Sequence, residues 1–290
     1  MADLNYTKRS SDRREGRLIH SLSAYSRMIP FFLRRRSDAV CYLSDSVEVS
    51  AIEQWLREKR AEGWAGLGFM HLMVAAYVRT VSMQPGINRF VCARRVFARN
   101  DIQVVLRLRR SSDAHAGTTA FKVSFSPSDT VYDVYRRLND AREAVLTDVV
   151  TSSPERIAER LLKLPRPFLR LAMGILRILD YFDWLPRTWL EASPWHASLR
   201  LLPMDVLGIG PADGALADFG TVSSCLSFGA RRRVRESDGD ERQYVDYRIA
   251  VDSRIADSQA FSAAFRCLKY FLRNPALLEL PPERVTDDIN

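Results

Sequence analysis

The order of strand-like and helix-like segments along the chain predicts an α/β fold. Short runs of β-forming residues alternate with segments whose apolar residues recur at helical spacing. One segment, 69–83, is almost wholly apolar, as expected for a helix that is buried on most sides. Apolar residues make up 47% of the 290 residues, which is enough for one large domain or two small ones.

The predicted elements follow one another along the whole chain. Strands are predicted over 39–44, 89–97, 102–108, 120–126, 197–202, 222–228 and 244–251, and helices from Ser50, over 69–83, from Thr130 to about 145, over 166–180 and over 257–273. Asp129 or Thr130 is expected to cap the helix that follows. Because the first residues are polar and basic, we expect a flexible arm over 1–25 and a single domain over 26–290.

The charge balance and the cysteine spacing exclude some classes of site. Lys and Arg number 43 and Asp and Glu 35, which gives a net charge of +8. An arginine run at 231–235 is followed directly by acidic residues, which predicts a solvated hairpin tip and no nucleic-acid partner. The cysteines are far apart, so we expect no metal site and a cytoplasmic protein with reduced thiols; they are Cys41, Cys92, Cys225 and Cys267.

The segment 154–190 allows two interpretations. Polar residues recur at helical spacing within 166–180 and leave a wide apolar face. A helix packed on the core or on a neighbouring subunit would have this pattern. A helix lying in a membrane interface would have it too, and the arginines of the segment favour that interpretation, as do Phe168, Trp184 and Trp189. Charges interrupt every long apolar run, so we expect no transmembrane span.

Three stretches, taken in order, resemble one enzyme family. Ile29-Pro30 precedes an arginine triplet and a strand, and PGINRF at 85–90 follows the buried helix and is similar to the pattern P-x-L-N-x-F. YRIAVDSRIADS at 247–258 resembles the signature D-H-R-x-x-D-G and leads into a helix that closes with NPALL at 274–278. Together they resemble the catalytic domain of the 2-oxoacid dehydrogenase acyltransferases, the E2 subunits, and their relative chloramphenicol acetyltransferase.

The resemblance implies a two-layer α/β sandwich, in which a mixed sheet like that of chloramphenicol acetyltransferase is flanked by helices, with a helical insertion near 154–190. It implies a homotrimer with active sites between subunits. It makes coenzyme A, an acyl-CoA or a carrier protein the source of the acyl group, and it assigns no cofactor-binding residue. About 25 residues precede the core, so we expect neither a lipoyl attachment domain nor a subunit-binding domain.

The resemblance also shows that the catalytic positions are changed. Ser253 stands where the family has the histidine that acts as general base, and a serine hydroxyl cannot take up a proton near pH 7. Asp257 is kept. In the family its counterpart is a structural carboxylate that pairs with an arginine near the N-terminus, for which Arg36 is the first choice here and Arg35 the second.

The position that would stabilise the oxyanion is changed as well. The family has a Ser or Thr on a strand just before a Gly-rich turn, and Leu202 occupies that position here, between Leu201 and Pro203. His196 lies six residues earlier, about 20 Å away along an extended strand. We expect it to be non-catalytic, together with the other histidines, which are His20, His71 and His115.

These changes lead to one main hypothesis and two alternatives. The main hypothesis is an acyltransferase-fold homotrimer that has lost acyl-transfer chemistry, a pseudoenzyme, and that binds an acyl thioester or carrier protein or holds a partner enzyme. The first alternative is an active stand-alone acyltransferase that moves an acyl group from coenzyme A or a carrier protein to a small nucleophile, by proximity without a base. The second is a protein that binds a membrane surface through 154–190. Whether the chain is an enzyme stays open.

Overall fold

The computed structural model describes residues 9, 11–109, 118–147, 162–163, 165–235 and 239–288. In chain order its strands are β1 (Gly16–Leu18), β2 (Val40–Glu48), β3 (Arg89–Cys92), β4 (Arg95–Arg99), β5 (Ile102–Arg109), β6 (Thr118–Phe125), β7 (Leu199–Pro203), β8 (Ser224–Arg235) and β9 (Glu241–Asp252). Its α-helices are α1 (Ala24–Phe32), α2 (Ser50–Ala61), α3 (Phe69–Met83), α4 (Val131–Leu146), α5 (Arg166–Tyr181), α6 (Arg187–Ala192) and α7 (Ser258–Arg273).

The main sheet is mixed, as predicted. In the described residues it has six strands in the order β2-β9-β8-β7-β5-β6, and a smaller sheet has the order β1-β4-β3. Strand β7 runs parallel to β5 and to β8, whereas the other neighbours in the main sheet are antiparallel. Because side chains alternate along a strand, each strand presents one set of residues to each face of the sheet.

Helices α2, α3, α4 and α7 pack with one face of the main sheet in a single apolar core. Almost every residue of α3 is buried, as its composition predicted. The predicted inward faces of α2 and α7 are confirmed, since Ile52, Trp55 and Leu56 are buried on α2, and Phe261 and Leu268 on α7. A smaller apolar cluster includes Cys225 and Ala250, strand residues that alternate in sequence with those of the main core. The α/β two-layer prediction is therefore confirmed.

Thr130 is the residue that caps α4. Its side chain accepts a hydrogen bond from the Asp133 backbone N–H, and the Asp133 carboxylate accepts one from the Thr130 N–H. This reciprocal pair is a capping box, which satisfies backbone donors at the start of the helix. Of the two predicted caps, Thr130 is correct, whereas Asp129 accepts a bond from Ser126 in the preceding turn.

The predicted strand over 89–97 is wrong, because the chain reverses within it. Strands β3 and β4 form a hairpin whose turn residues, Ala93 and Arg94, have φ of 48° and 59°. Tight hairpins favour this left-handed backbone, but Gly or Asn normally supplies it. Neither turn residue is Gly or Asn, so the sequence carries no turn signal there.

The second half of the predicted flexible arm is part of the folded structure. Strand β1 pairs antiparallel with β4, and Arg13 and Ile19 are buried. The Arg13 guanidinium binds the Asp180 carboxylate at 3.0 Å. Asp180 lies more than 160 residues later in the sequence. The prediction of a free arm failed because it counted Arg13 as a solvated charge.

The predicted helical insertion is present as far as the described residues show it. Helices α5 and α6 follow one another, whereas 148–161 and 164 lie outside the described residues. Lys122 on β6 joins the insertion to the sheet, since its ammonium donates to the carbonyls of Leu190 at 2.6 Å and His196 at 2.8 Å. In the described part of the chain, no helix is long and apolar enough to cross a bilayer.

The arginine run lies mainly on β8 and not at the tip of the hairpin. Arg231 pairs with Glu53 of α2 at 2.6 Å, and Arg232 pairs across the strands with Asp246 at 2.7 Å. Residues 236–238 of the tip lie outside the described residues. These two guanidinium groups are thus engaged by carboxylates within the chain.

Candidate functional site

Ser253 lies in the turn that joins β9 to α7. Strand β9 ends at Asp252, and the Ser253 backbone N–H donates to the Ala39 carbonyl at 2.8 Å, which fixes the turn against the start of β2. The side chain is half-buried. Within the described residues its hydroxyl makes no hydrogen bond, so no described histidine is hydrogen-bonded to it. The group that the resemblance makes central therefore has no hydrogen-bonded base in the described chain.

A buried ion cluster holds this turn. The Asp252 carboxylate is fully buried and is contacted by Arg254 Nη2 at 2.7 Å and by Arg36 Nε at 3.4 Å. Arg36 also donates to the carbonyls of Ala217 and Gly220. Burial lowers the pKa of Arg36, and the nearby Asp252 carboxylate partly offsets this effect. One carboxylate and two guanidinium groups thus connect the turn to the segment before β8.

The predicted pair between Arg36 and Asp257 is wrong. Asp257 is exposed and caps α7, where its carboxylate accepts a bond from the Ala260 N–H at 2.8 Å. The partner of Arg36 is Asp252, five residues earlier. The pairing of β2 with β9 explains this, because it places Asp252 opposite Val40, only four residues after Arg36. The arginine was identified correctly and the carboxylate was not.

Leu202 lies on β7 and packs partly against the smaller apolar cluster that contains Cys225 and Ala250. Its neighbour on β8 is Ser227, whose hydroxyl donates to the Ala212 carbonyl at 2.5 Å. Ser227 is not indicated by the sequence, because the family pattern places the hydroxyl on the strand of Leu202 and the pairing of β7 with β8 is not visible in the sequence. The Ser227 hydroxyl is already engaged by the backbone.

The sheet register keeps Ser253 and Leu202 apart within one chain. Leu202 pairs with Ser227, and Ser227 pairs with Arg248, five positions before Ser253. Five residues span about 16 Å along a strand and two strand spacings add about 10 Å across the sheet, so the separation is roughly 19 Å. A single chain therefore does not bring the two predicted site positions together.

The histidines have other environments. His196 is fully buried, and its ring contacts the Ser193 hydroxyl at 2.9 Å and the Asp180 carboxylate at 3.4 Å. Burial acts to raise the pKa of Asp180, but the hydrogen bond and charge of His196 and the charge of Arg13 outweigh it and lower that pKa. These residue types resemble a hydrolytic triad, yet Ser193 and His196 are both enclosed, which leaves a substrate no access.

The two other described histidines make no hydrogen bond with Ser253. His71 is buried on α3, where its Nδ1 accepts a bond from the Gly68 N–H, and burial lowers its pKa to about 4. His20 is exposed after β1, and His115 lies outside the described residues. No described histidine is thus hydrogen-bonded to Ser253 as a general base would be.

A polar cleft that sequence reasoning missed lies beside the small sheet. Its cavity volume is about 360 Å³, and its lining includes Arg13, Arg99, Asp101 and Asp287. Arg99 is buried, donates to the Thr221 carbonyl at 2.5 Å, and has its pKa lowered to about 10 by burial. The mixed charges suit a polar ligand.

Among the described residues, no group of His, Cys, Asp and Glu side chains could hold a metal ion.

The fold is shared with acyltransferases of known structure. The chain is similar to a dihydrolipoamide acetyltransferase of Azotobacter vinelandii, with 12% identity, coverage of 90% of this chain and 94% of that chain, and a TM-score of 0.57. It is also similar to a chloramphenicol acetyltransferase, with 14% identity, coverage of 89% of this chain and 99% of that chain, and a TM-score of 0.55. A probable dihydrolipoamide acetyltransferase of Listeria monocytogenes is 10% identical, with coverage of 89% of this chain and 95% of that chain and a TM-score of 0.54. No protein-family model and no curated protein sequence matches the chain.

These identities establish the fold alone. The chain has the chloramphenicol acetyltransferase-like fold of the E2 catalytic domains, so the fold that the sequence resemblance implied is confirmed.

Proposed function

We propose that this chain is an acyltransferase-fold protein that has lost acyl-transfer chemistry and acts by binding an acyl thioester or its carrier protein, or by holding a partner enzyme. The observation that carries the proposal is the environment of Ser253. Its hydroxyl lies in the turn after β9 without a hydrogen-bonded base in the described chain, while the ion cluster that positions the turn is intact.

The chemistry explains why this environment matters. Acyl transfer to a thiol or hydroxyl requires removal of a proton as the nucleophile attacks the thioester carbonyl, and a positioned base contributes about 10²- to 10⁴-fold in rate. The tetrahedral intermediate then carries an oxyanion, and loss of one donor to it costs about 10²- to 10³-fold. Ser253 cannot supply the first function, and Leu202 cannot supply the second.

We further propose that the chain forms a homotrimer. The support is the separation of Ser253 and Leu202 within one chain, together with the family resemblance, which places the two positions on neighbouring subunits. Both positions are changed in the same chain. Every site to which this chain contributes therefore lacks at least one of the two groups, in a homotrimer and in a mixed trimer with a competent relative alike.

Restoring the two missing groups tests the proposal. The double variant Ser253→His with Leu202→Ser is expected to gain thioesterase or acyl-transfer activity toward acetyl-CoA above that of either single variant, whereas the wild type remains at the uncatalysed rate. Circular dichroism and binding of coenzyme A establish that the double variant is folded and competent to bind. A folded double variant that binds coenzyme A and gains no rate would contradict the placement of the site.

Activity of the wild type would instead support the alternative, an active stand-alone acyltransferase that uses proximity without a base. Such an enzyme would favour acceptors that are already nucleophilic, such as amines. Comparison of amine, thiol and hydroxyl acceptors in the same assay separates the two functions.

A further inference from the structure

Helix α5 has apolar residues on both of its sides, and the described residues cover only one of them. The inner side carries Asp180, which is buried against Arg13 and His196, with partly buried leucines such as Leu176 beside it. The outer side carries four large apolar side chains that are between 48% and 61% exposed; they are Phe168, Leu171, Ile175 and Ile178. Their spacing of three, four and three residues makes one continuous stripe.

The apolar surface continues beyond the end of α5. Phe182 and Trp184 are more than half exposed, and their rings stack on each other with centroids 5.0 Å apart. Stacked and exposed aromatic rings of this kind are typical of the boundary between lipid headgroups and acyl chains. We call the stripe and this aromatic pair together the α5 surface.

The charges beside the α5 surface are positive. Lys163, Arg166, Arg170 and Arg177 are exposed and form no ion pair within the described residues. The only carboxylate of Arg166–Tyr181 is Asp180, which faces inward. An apolar stripe flanked by free cations complements an anionic phospholipid surface. A second copy of this chain is a poorer complement, because it carries the same net charge of +8.

The β3–β4 turn connects this region to a second exposed apolar helix. Cys92 Sγ lies 3.9 Å from the Asp180 carbonyl, and the Arg94 guanidinium lies over the Phe31 ring of α1 at 5.5 Å. Helix α1 itself exposes Tyr25, Met28 and Phe32. A second exposed apolar helix thus lies on the other side of the β3–β4 turn from α5.

We propose that the α5 surface binds the surface of an anionic phospholipid membrane, with the apolar stripe and Trp184 at the acyl boundary and the flanking arginines at the headgroup phosphates. The helix lies in the plane of the membrane, and Asp180 holds it to the body of the protein. Membrane binding does not depend on acyl-transfer activity, so this proposal and the proposed loss of acyl-transfer chemistry can fail separately.

Co-sedimentation of the full chain with vesicles tests the proposal. The wild type is expected to bind vesicles of phosphatidylcholine with phosphatidylglycerol and to remain in the supernatant with phosphatidylcholine alone. At about 1 M salt, where the screening length falls to about 3 Å, binding should weaken strongly. Equal binding to both kinds of vesicle, or no binding to either, would overturn the proposal.

Variants separate the apolar and the charged contributions. Leu171→Glu with Ile175→Glu should weaken partitioning about tenfold or more, and each of Arg170→Ala and Arg177→Ala should weaken it about fivefold. Tyr270→Glu changes a similarly exposed residue of α7 and should bind as the wild type does. All of these positions are exposed, so the variants should keep the wild-type circular dichroism.

Tryptophan fluorescence locates the contact. Vesicles should shift the emission of the wild type to shorter wavelength, and Trp184→Phe should keep binding but lose most of the shift. If the Leu171→Glu/Ile175→Glu variant instead dissociates an oligomer and keeps wild-type vesicle binding, the α5 surface is a contact between copies and the proposal is wrong.

Discussion

Asp252 is the residue on which the geometry of the Ser253 turn depends most. It is fully buried at the end of β9 and balances two buried guanidinium groups, those of Arg36 and Arg254. A buried charge that loses its partner is far more costly than an exposed one, because it is left without either water or a counter-charge. The predicted carboxylate, Asp257, is exposed and serves only the start of α7.

A matched pair of substitutions distinguishes the two carboxylates. Asp252→Asn should lower the free energy of unfolding by about 3–5 kcal/mol, because it leaves two buried guanidinium groups without a counter-charge. Asp257→Asn should change it by less than about 0.5 kcal/mol, because Asn caps a helix as well as Asp does. Urea unfolding measures both values. A larger effect at Asp257 than at Asp252 would restore the pairing expected from the family resemblance.

His71 gives the stability a dependence on pH. Burial lowers its folded-state pKa to about 4, below the ordinary value near 6.5, so the unfolded chain takes up a proton first as the pH falls. Stability is therefore lost between about pH 6.5 and pH 4, by up to about 3 kcal/mol. His71→Gln keeps an acceptor for the Gly68 N–H but does not titrate.

The measurement is the free energy of unfolding of the wild type and His71→Gln at pH 7 and at pH 4.5. The advantage of the wild type over the variant should shrink by about 2–3 kcal/mol at the lower pH. An advantage that is the same at both values would show that His71 titrates equally in the folded and unfolded chain.

The sequence motifs assign Ser253 and Leu202 to the site positions, and this assignment stays a prediction; the motifs do not indicate which side chains meet. Ser253 and Leu202 were identified because a motif with fixed spacing places them. The Arg36–Asp252 pair, the Ser227 hydroxyl and Arg99 depend on contacts between distant strands, and no local pattern records those contacts. The register of β2 with β9 is the physical information that was missing.

At the scale of elements, a buried polar anchor at Asp180 connects α5 to the body of the protein. Asp180 binds Arg13 and His196, and Arg13 Nη2 also donates to the Asp180 carbonyl at 2.7 Å. The periodicity predicted an amphipathic helix here, but it did not say which apolar side is covered. Leu169 and Leu176 on the inner side and Leu171 and Ile175 on the outer side are too similar in type to decide this.

Removing the anchor should loosen the insertion before the rest of the fold. Asp180→Asn removes the nearer of the two carboxylates beside the buried Arg13 guanidinium and leaves only Asp183, at 3.7 Å, so we expect faster amide hydrogen exchange over 166–192 and in β1. Glu191→Gln is the control, because the Arg187–Glu191 pair is exposed and contributes little. Unchanged exchange in Asp180→Asn would mean that apolar packing alone holds α5.

At the scale of the whole molecule, the main elements of the fold follow from apolar composition and spacing, which are visible in the sequence. The buried helix α3 and the apolar faces of α2 and α7 organise one core, and each of them was predicted from composition or spacing. The β3–β4 turn was not predicted, because its residues adopt a left-handed backbone without the usual Gly or Asn. Apolar patterning thus predicts the order of the elements, whereas the β3–β4 turn depends on how the strands pair in the folded structure.

The proposed assembly has a definite mass. Analytical ultracentrifugation should give about 99 kDa, three times the chain mass of 33.1 kDa. The physical reason is that the two site positions, roughly 19 Å apart in one chain, would face each other only across a subunit boundary. A species of one chain mass at micromolar concentration would contradict the trimer.

The central claim is that the fold is kept while the chemistry is lost, and a turnover measurement tests it most directly. The measurement is the rate of acyl transfer from acetyl-CoA to a small dithiol acceptor, followed by release of the coenzyme A thiol. The wild type should be no faster than Ser253→Trp, which blocks the space beside the turn, and no faster than the reaction without protein. A wild-type rate above both controls would contradict the account.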